Sequence, residues 1–432
     1  MNIWIKPTGD FMAHRVRFRS LLGAAVVTAL GLTILAPPAA SARPASPNAV
    51  LAWNVHAQTA IFEVARQSPT AGARSFAMVQ GAVYDAANAI AGVPYEPYLV
   101  APPARRGDST PAAVAAAAYR VLLSLFPAQA EALRVRYDET LAGVPDGAAE
   151  QRGVGVGEVT AAAMIAERQN DGAFAAATWP VGTAPGQYRL TPPGFVQAGA
   201  WFAALKPFAI DPADHRVSGP PALTSAAYAR QLNEVKAIGS ATSTLRTQDQ
   251  TEAATWWDDY RQVEWSIKRD LAADHRLSSL ETARLLAMAD VATADAMISC
   301  YAQKRQWSFW RPVDAIPLAG TDGNPATVAD PAWAPLRVTA PSPEWPSGHA
   351  CYTSAIMTAL RKFFGRDNLS FSAYSADSGT TRHFDSLSSA RNELMEARIW
   401  AGVHYRGAVV QGDRLGAAVT RDVLAHEFGR RR

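Results

Sequence analysis

Three short segments in the last third of the chain contain residue types that could bind an oxyanion. The first runs from Lys304 to Arg311 and Pro312, the second is Pro346–His349, and the third runs from Arg398 to His404. Lysine and arginine donate strong hydrogen bonds to negatively charged oxygens, and imidazoles transfer protons or act as nucleophiles. Together the segments predict a pocket for a tetrahedral oxyanion.

Ser347, Gly348 and His349 lie where a helix is expected to begin. Ser347 is a favoured N-cap residue, and the first helical turn leaves backbone N–H groups without partners. These groups and the helix dipole attract an anion, which Gly348 allows to approach the backbone closely. His349 on the same turn would face that anion. Taken alone, the motif fits a plain helix cap with a surface histidine equally well.

The cations of the other two segments need particular backbone breaks. Lys304 and Arg311 are seven residues apart and would share a face on one helix, which Pro312 requires to end by Arg311. Arg398 and His404 are six apart and would lie on different faces of a continuous helix, so a break at Gly402 is needed to turn both inward. Each of these two segments, taken alone, could contain cations with a purely structural role. The occurrence of three such segments in one chain favours a single anion-binding site.

Hydrophobic periodicity predicts an all-α protein of helical bundles, in two four-helix-bundle-like halves. We expect residues 43–221 to form the N-terminal half and residues 222–432 the C-terminal half, which carries the oxyanion site. Long Pro/Gly-rich loops are expected at 171–221 and 312–346. No segment shows convincing strand alternation. Helices are expected at 54–67, 75–91, 110–126, 128–142, 147–170, 222–239, 248–271, 278–304, 348–364, 387–400 and from about 405 onward.

Residues 1–42 have the pattern of a secretory signal peptide. A basic stretch at 15–19 precedes an apolar stretch from Leu21 to Ala36, and Ala40–Ala42 suits cleavage. The pattern predicts a secreted or periplasmic protein without stable membrane insertion after cleavage, with an uncleaved anchor helix as the alternative. This segment has four cations against one Asp, which accounts for the net charge of +3 of the whole chain. The remainder is formally neutral, so nucleic acid is not an expected partner.

The two cysteines of the chain, Cys300 and Cys351, lie close to the predicted pocket in sequence. In an exported protein they would suit one disulfide. Their apolar neighbours suit two buried thiols equally well. The sequence leaves both alternatives open.

The three motifs together resemble the superfamily of vanadium-dependent haloperoxidases and type-2 phosphatidic acid phosphatases. Lys304 with Arg311-Pro312, then Pro346-Ser347-Gly348-His349, then Arg398 with His404 match in type and order. The stretch 74–90 is similar to the N-terminal half of secreted bacterial haloperoxidase-like proteins. The resemblance implies an all-α haloperoxidase with vanadate as cofactor. Its implied partners are hydrogen peroxide, a halide and a small organic acceptor.

The resemblance also implies a role for each residue of the motifs. His404 would be the metal ligand that binds vanadium, or the nucleophile that binds phosphorus. His349 would be the acid–base group at the apical oxygen, and Lys304 would polarise the peroxide. The equatorial oxygens of the cofactor would be held by Lys304, Arg311, Ser347, Gly348 and Arg398.

Two positions depart from the patterns of the superfamily. Its phosphatases carry an Asp four residues after the last histidine, where this chain has Ala408. This favours the haloperoxidase, although another carboxylate, such as Asp295 or Asp413, could take the place of that Asp. Members that oxidise chloride tend to have an aromatic residue five positions before the motif serine, and bromide enzymes a histidine. This chain has Ser342, so no halide preference is predicted.

Two further functions remain as alternatives. One is an acid phosphatase acting on phosphomonoesters, with His404 as nucleophile and His349 as general acid. The other is a non-catalytic protein that binds vanadate or phosphate. Binding alone would need neither an apical acid nor a nucleophile, so the two histidines count against it.

Overall fold

The computed structural model describes residues 48–259 and 263–431, and these are predominantly helical. The all-α prediction is confirmed, whereas the predicted signal peptide lies outside the described residues. The α-helices before residue 260 are α1 (Ala49–Gln58), α2 (Pro69–Ile90), α3 (Thr110–Leu125), α4 (Ala130–Ala142), α5 (Ala148–Arg168), α6 (Ala226–Ile238) and α7 (Gln248–Trp256), and a π-helix, Thr59–Val64, continues α1. Those after it are α8 (Val263–Asp274), α9 (Ser279–Trp307), α10 (Pro312–Ala315), α11 (Gly348–Phe364), α12 (Leu387–Trp400) and α13 (Arg406–His426).

The long helix α9 is the centre of the fold, and α2, α11 and α13 pack directly against it. It begins at the capping box that the sequence predicts, in which Ser278 and Glu281 cap each other's backbone N–H groups. By length and composition α9 could cross a membrane, but 89% of its apolar window is buried inside the protein. Such burial is typical of a core helix.

Small residues set the close packing of α13 against α11. A Cβ atom on Gly412 would lie 2.4 Å from the carbonyl oxygen of Ser347, and one on Gly416 would lie 2.2 Å from that of Cys351. Neither distance is sterically allowed. Because both glycines face α11, the two backbones approach closely near the point where α11 begins.

Helices from both predicted halves share one core. The described residues form a single compact unit, in which α2 packs along α9. The boundary between residues 221 and 222 therefore stays a prediction. The long predicted loops are irregular, with only short helical turns between residues 169 and 225 and between 316 and 347.

Two local predictions are wrong. The single helix expected at 248–271 is two helices, α7 and α8, and the chain already leaves helical structure at 257–259. A small antiparallel hairpin of β1 (Phe371–Ser375) and β2 (Thr380–Phe384) occurs where no strand was expected, with Phe371 opposite Phe384. The rings of these two residues lie 5.4 Å apart. The strands are only five residues long, so their alternation is too brief to stand out in the sequence.

Candidate active site

A cavity of about 400 Å³ contains residues from all three predicted segments. Its wall also includes Asp258, Tyr301, Ser342 and Tyr352. The fold therefore brings together six of the seven predicted site residues, and the seventh, Ser347, is next to the cavity in sequence but does not line it. The six are Lys304, Arg311, Gly348, His349, Arg398 and His404.

Lys304 lies in the last turn of α9 and is almost fully buried. Its ammonium group donates hydrogen bonds to the carbonyl oxygens of Pro343, at 2.6 Å, and Glu344, at 3.2 Å. Burial, followed by the positive charge of Arg311, lowers the pKa of Lys304 to about 8. These contacts connect α9 to the loop that precedes the Ser-Gly-His motif.

Lys304 and Arg311 do not share a helix, which corrects the geometry expected from their spacing. Helix α9 ends at Trp307, and Ser308 adopts a left-handed backbone conformation with φ 37°. The chain then turns, and Arg311 becomes the residue before α10. The two cations nevertheless line the same cavity because the turn at Ser308 brings Arg311 back toward α9.

Arg311 holds two loops together beneath the cavity and is 1% exposed. Its Nε donates to the carbonyl oxygen of Ser342 and its Nη1 to that of Val403, both at 2.9 Å. Nη2 lies 3.3 Å from the Ser342 hydroxyl, and Nη1 lies 3.2 Å from Nε2 of His404. A guanidinium fixed on this many sides is a rigid donor for an anion.

Arg398 is positioned by Asp258, a residue that sequence reasoning missed. Nη1 of Arg398 donates to Asp258 Oδ1 at 3.0 Å, and Arg337 binds the other carboxylate oxygen at 3.0 Å. Burial would raise the pKa of Asp258, but the two arginines outweigh burial and hold that pKa below its usual value. Nothing in the local sequence marks Asp258, because its partner is 140 residues away.

The Ser-Gly-His motif begins α11, as the sequence predicts. Ser347 is the N-cap, and its hydroxyl accepts a hydrogen bond from the Ala350 N–H at 3.4 Å. Ser347 is fully buried and its hydroxyl caps α11, so its role is to position the first turn of that helix beside the cavity. A Cβ on Gly348 would lie 3.6 Å from Cε of Lys304. The bare backbone thus lies beside that cation, and the side chain of His349 lies in the cavity wall.

His404 lies between α12 and α13, at the break expected near Gly402. Gly402 has φ 77°, and α13 resumes at Arg406, so this prediction is confirmed. His404 Nδ1 lies 2.9 Å from Glu344 Oε1, which also accepts the Tyr405 N–H at 2.8 Å. Nη1 of Arg311 lies within 3.4 Å of both ring nitrogens, so the Glu344 carboxylate decides between them. Nδ1 carries the proton that Glu344 accepts, and Nε2 keeps the lone pair.

Electrostatics keep His404 neutral. Burial is the main cause, and the positive charges of Arg311, Lys304 and Arg398 add to it, so that the pKa of His404 falls well below its usual value. Burial raises the pKa of Glu344 to about 7, opposed by Arg311 and Lys304. A neutral imidazole with its Nε2 lone pair toward the cations suits a metal ligand or a nucleophile.

Neither carboxylate suggested from the sequence reaches His404. Asp295 accepts hydrogen bonds from the backbone N–H groups of residues 208–210, and Asp413 forms an ion pair with Arg391. Glu344 takes that position instead. Its signal in the sequence is its place three residues before Ser347, in a segment that must lie beside the anion.

The donor set fits vanadate. Two permanent cations and a lysine surround a neutral imidazole nitrogen, and Nε of Arg398 is buried without a hydrogen-bond partner among the described residues. An oxyanion bound in the cavity would supply the missing acceptor. Fixed donors of this kind stabilise negative charge on the oxygens of a bound oxyanion.

The two cysteines are free, buried thiols on facing helices beneath the site. Cys300 is on α9 and Cys351 is on α11. Sγ of Cys300 lies 3.8 Å from the carbonyl oxygen of Ser347. Of the two alternatives left open by the sequence, a disulfide or two buried thiols, the structure therefore has the two buried thiols.

Comparisons with known proteins give similarities in domain, sequence and fold. Residues 284–429 match the family model of the VCPO second helical-bundle domain. The chain is 27% identical over 285 residues to a vanadium chloroperoxidase from Curvularia inaequalis, which covers 49% of this chain and 46% of that relative. The aligned region therefore spans less than half the length of the relative.

Two solved structures share the fold over most of the chain. A bacterial vanadium-dependent iodoperoxidase has a TM-score of 0.77 at 22% identity, covering 89% of this chain and 98% of its own. A holo-type bacterial vanadium-dependent chloroperoxidase has a TM-score of 0.67 at 17% identity, covering 83% and 93%. The matched domain includes every predicted site residue from Lys304 to His404. The chain is therefore similar to vanadium chloroperoxidases over residues 284–429 and shares the fold of bacterial vanadium-dependent haloperoxidases.

Proposed function

We propose that this protein is a vanadium-dependent haloperoxidase that binds vanadate at His404, activates hydrogen peroxide and oxidises a halide. One observation carries the proposal: the Nε2 lone pair of His404, oriented by Glu344, faces the guanidinium of Arg311 in a cavity that Lys304 and Arg398 also line. Bound vanadate would supply the Lewis acidity that makes peroxide electrophilic. The relationship to vanadium haloperoxidases supports the same chemistry.

The cavity residues of this chain have separate roles in binding the anion and transferring protons. Lys304, Arg311 and Arg398 would bind the negatively charged oxygens of vanadate, and the Gly348 backbone would allow these oxygens to approach closely. His349 takes a proton from peroxide and returns one to a leaving oxygen. Tyr301 and Tyr352 narrow the cavity, which lowers the local dielectric and strengthens each charge interaction.

A vanadate-dependent halogenation assay tests this function. The purified protein, freed of metal and then given orthovanadate, should convert hydrogen peroxide and bromide or iodide into a species that halogenates a phenolic acceptor. The same protein without vanadate is the control. Absence of vanadate-dependent halogenation with every halide would contradict the proposal.

The second candidate is an acid phosphatase acting on phosphomonoesters, and the contact between Glu344 and His404 favours it. Ala408 argued against a phosphatase because the orienting Asp was missing, but Glu344 is a carboxylate that orients His404 through its Nδ1. His404 would then be the nucleophile and His349 the leaving-group acid. Hydrolysis of p-nitrophenyl phosphate that vanadate inhibits, without halogenation, would select this function.

Halide choice and location are further proposals. Ser342 lies in the cavity wall, with its hydroxyl 3.3 Å from Arg311, so the position holds a small polar group. Such a group leaves space for a large halide, and we expect iodide and bromide to be better substrates than chloride.

We also propose that the protein is exported from the cell, because residues 1–42 have signal-peptide features. N-terminal sequencing of the secreted protein would test it.

A further inference from the structure

A second buried carboxylate, Glu264 of α8, lies behind the other histidine of the site. Glu264 is 1% exposed, and its Oε1 lies 3.6 Å from Nε2 of His349. The same oxygen accepts a hydrogen bond from Oγ1 of Thr353 at 2.8 Å. Within residues 48–259 and 263–431 Thr353 is the one hydrogen-bond donor to this carboxylate, so Glu264 has accepting capacity left over.

The surroundings of His349 decide which ring nitrogen faces the cavity. Nε2 is buried and has no hydrogen-bond partner among the described residues. The side chain nevertheless lines the cavity, so Nδ1 is the nitrogen left to face it. A neutral imidazole carries one N–H, and a buried N–H needs an acceptor. The Glu264 carboxylate oxygen, 3.6 Å from Nε2, is placed to become the acceptor of an N–H on Nε2.

The other nearby carboxylate is already engaged. Asp258 accepts hydrogen bonds from Arg398 and Arg337, both at 3.0 Å. Its charge is therefore shared between two guanidinium groups. Glu264 has no arginine partner within the described residues, which leaves it as the carboxylate that can respond to His349.

We propose that Glu264 is a positioning residue for His349, which keeps the proton of that histidine on Nε2 and leaves Nδ1 for proton transfer in the cavity. The distance of 3.6 Å exceeds a hydrogen bond, but a shift of about half an ångström would form one. Such contacts often tighten when a ligand binds. When Nδ1 takes a proton, the negative charge of the carboxylate stabilises the imidazolium, as in other histidine–carboxylate pairs.

The inference rests on the proposed function only in assigning proton transfer to His349.

Kinetics of Glu264→Gln test the positioning role of Glu264, because the amide keeps the size of the side chain and removes its charge. We expect kcat to fall about 10–100-fold, the range for partners that orient a catalytic group. KM for hydrogen peroxide and affinity for vanadate should stay unchanged. Glu264→Asp, which keeps the charge, should recover part of kcat.

Asp85→Asn provides a matched control. Asp85 is a buried carboxylate that accepts backbone N–H groups of residues 98–100 and does not line the cavity. Its amide variant should lower stability and leave kcat unchanged. If Glu264→Gln behaved like Asp85→Asn, Glu264 would have a structural role only and the inference would be overturned.

The tautomer of His349 gives a readout that needs neither activity nor a variant of Glu264. Nitrogen NMR of the vanadate-free protein, assigned with His349→Ala, should show the neutral ring protonated on Nε2. A neutral ring protonated on Nδ1 would overturn the inference even if Glu264→Gln failed to fold. Lack of haloperoxidase activity in the wild type would contradict the proposed function and leave this tautomer result standing.

Discussion

Glu344 Oε1 lies 2.9 Å from His404 Nδ1; Glu344 is fully buried, and His404 lines the cavity. This contact fixes the histidine tautomer, because Glu344 accepts the Nδ1 proton and Nε2 keeps its lone pair. The Tyr405 N–H donates to the same carboxylate oxygen and holds it in place. The reactive nitrogen of the site is thus set by a residue from a different loop.

Replacing this carboxylate should lower the affinity for vanadate without abolishing binding. We expect Glu344→Gln to reduce vanadate affinity about 10–100-fold, because partners that orient a metal ligand have effects of this size. Equilibrium dialysis with vanadate measures the change. Asp295→Asn is the control, since Asp295 is equally buried but binds backbone N–H groups of residues 208–210. Equal affinities for wild type and Glu344→Gln would contradict the positioning role.

The two histidines should fail in different ways. His404→Ala should abolish vanadate retention, because it removes the nitrogen that would bind vanadium. His349→Ala should retain vanadate and lose turnover, because it removes the proton-transfer group. Vanadate binding and halogenation rates measured on the same preparations test the division. Identical behaviour of the two variants would show that the roles are not separate.

Anion affinity should depend on the protonation of Lys304. Its pKa is lowered from 10.5 to about 8, mainly by burial, so the ammonium form that attracts an anion is lost as pH rises through that value. We expect phosphate affinity of the vanadate-free protein to decline above about pH 8. Calorimetric titration between pH 6.5 and 9.5 measures it. Lys304→Gln should bind more weakly at low pH and show a flatter dependence; an unchanged slope would assign the decline to another group.

The same shift predicts how stability depends on pH. The folded-state pKa of Lys304 is below its unfolded value of 10.5, so between about pH 8 and 10.5 the unfolded chain binds more protons. Stability from this group therefore rises with pH across that window. Denaturant unfolding of wild type and Lys304→Gln should show the difference, with the variant relatively more stable at pH 7 than at pH 10.

Gly402 should tolerate no side chain. Its φ is 77°, and a Cβ there would lie 2.3 Å from the carbonyl oxygen of Gly239. Gly402→Ala should therefore cost more than the roughly 1 kcal/mol of left-handed strain alone, and should displace Arg398 and His404. Gly365→Ala is the matched control, because Gly365 has φ 69° and open space around its Cβ position. Equal melting temperatures for the two variants would contradict this.

The two cysteines should titrate as thiols. Both are buried and free, and burial, followed by the contact with Cys300, raises the pKa of Cys351 well above its usual value. The native protein should therefore react slowly with a thiol reagent. After unfolding without reductant, both cysteines should react. Absence of reactive thiols in the unfolded chain would show a disulfide instead.

The sequence by itself determined the helical class and the three motifs of the site. The N-cap at Ser347 and the break at Gly402 follow from local backbone rules, so they could be predicted from their own neighbourhoods. The Ser-Gly-His motif is local too, because the residues that present an anion-binding helix end are consecutive.

Only the tertiary structure decided which side chains act on those motifs. Glu344 meets His404 across 60 residues, and Asp258 meets Arg398 across 140. Glu264 reaches His349 from α8, in a region read from the sequence as part of one long helix. Hydrophobic periodicity reports which face of a helix is buried but not which partner it meets. The partners that set charge and tautomer in this cavity depend on how α8, α9, α11 and the loops before α11 and α13 pack together.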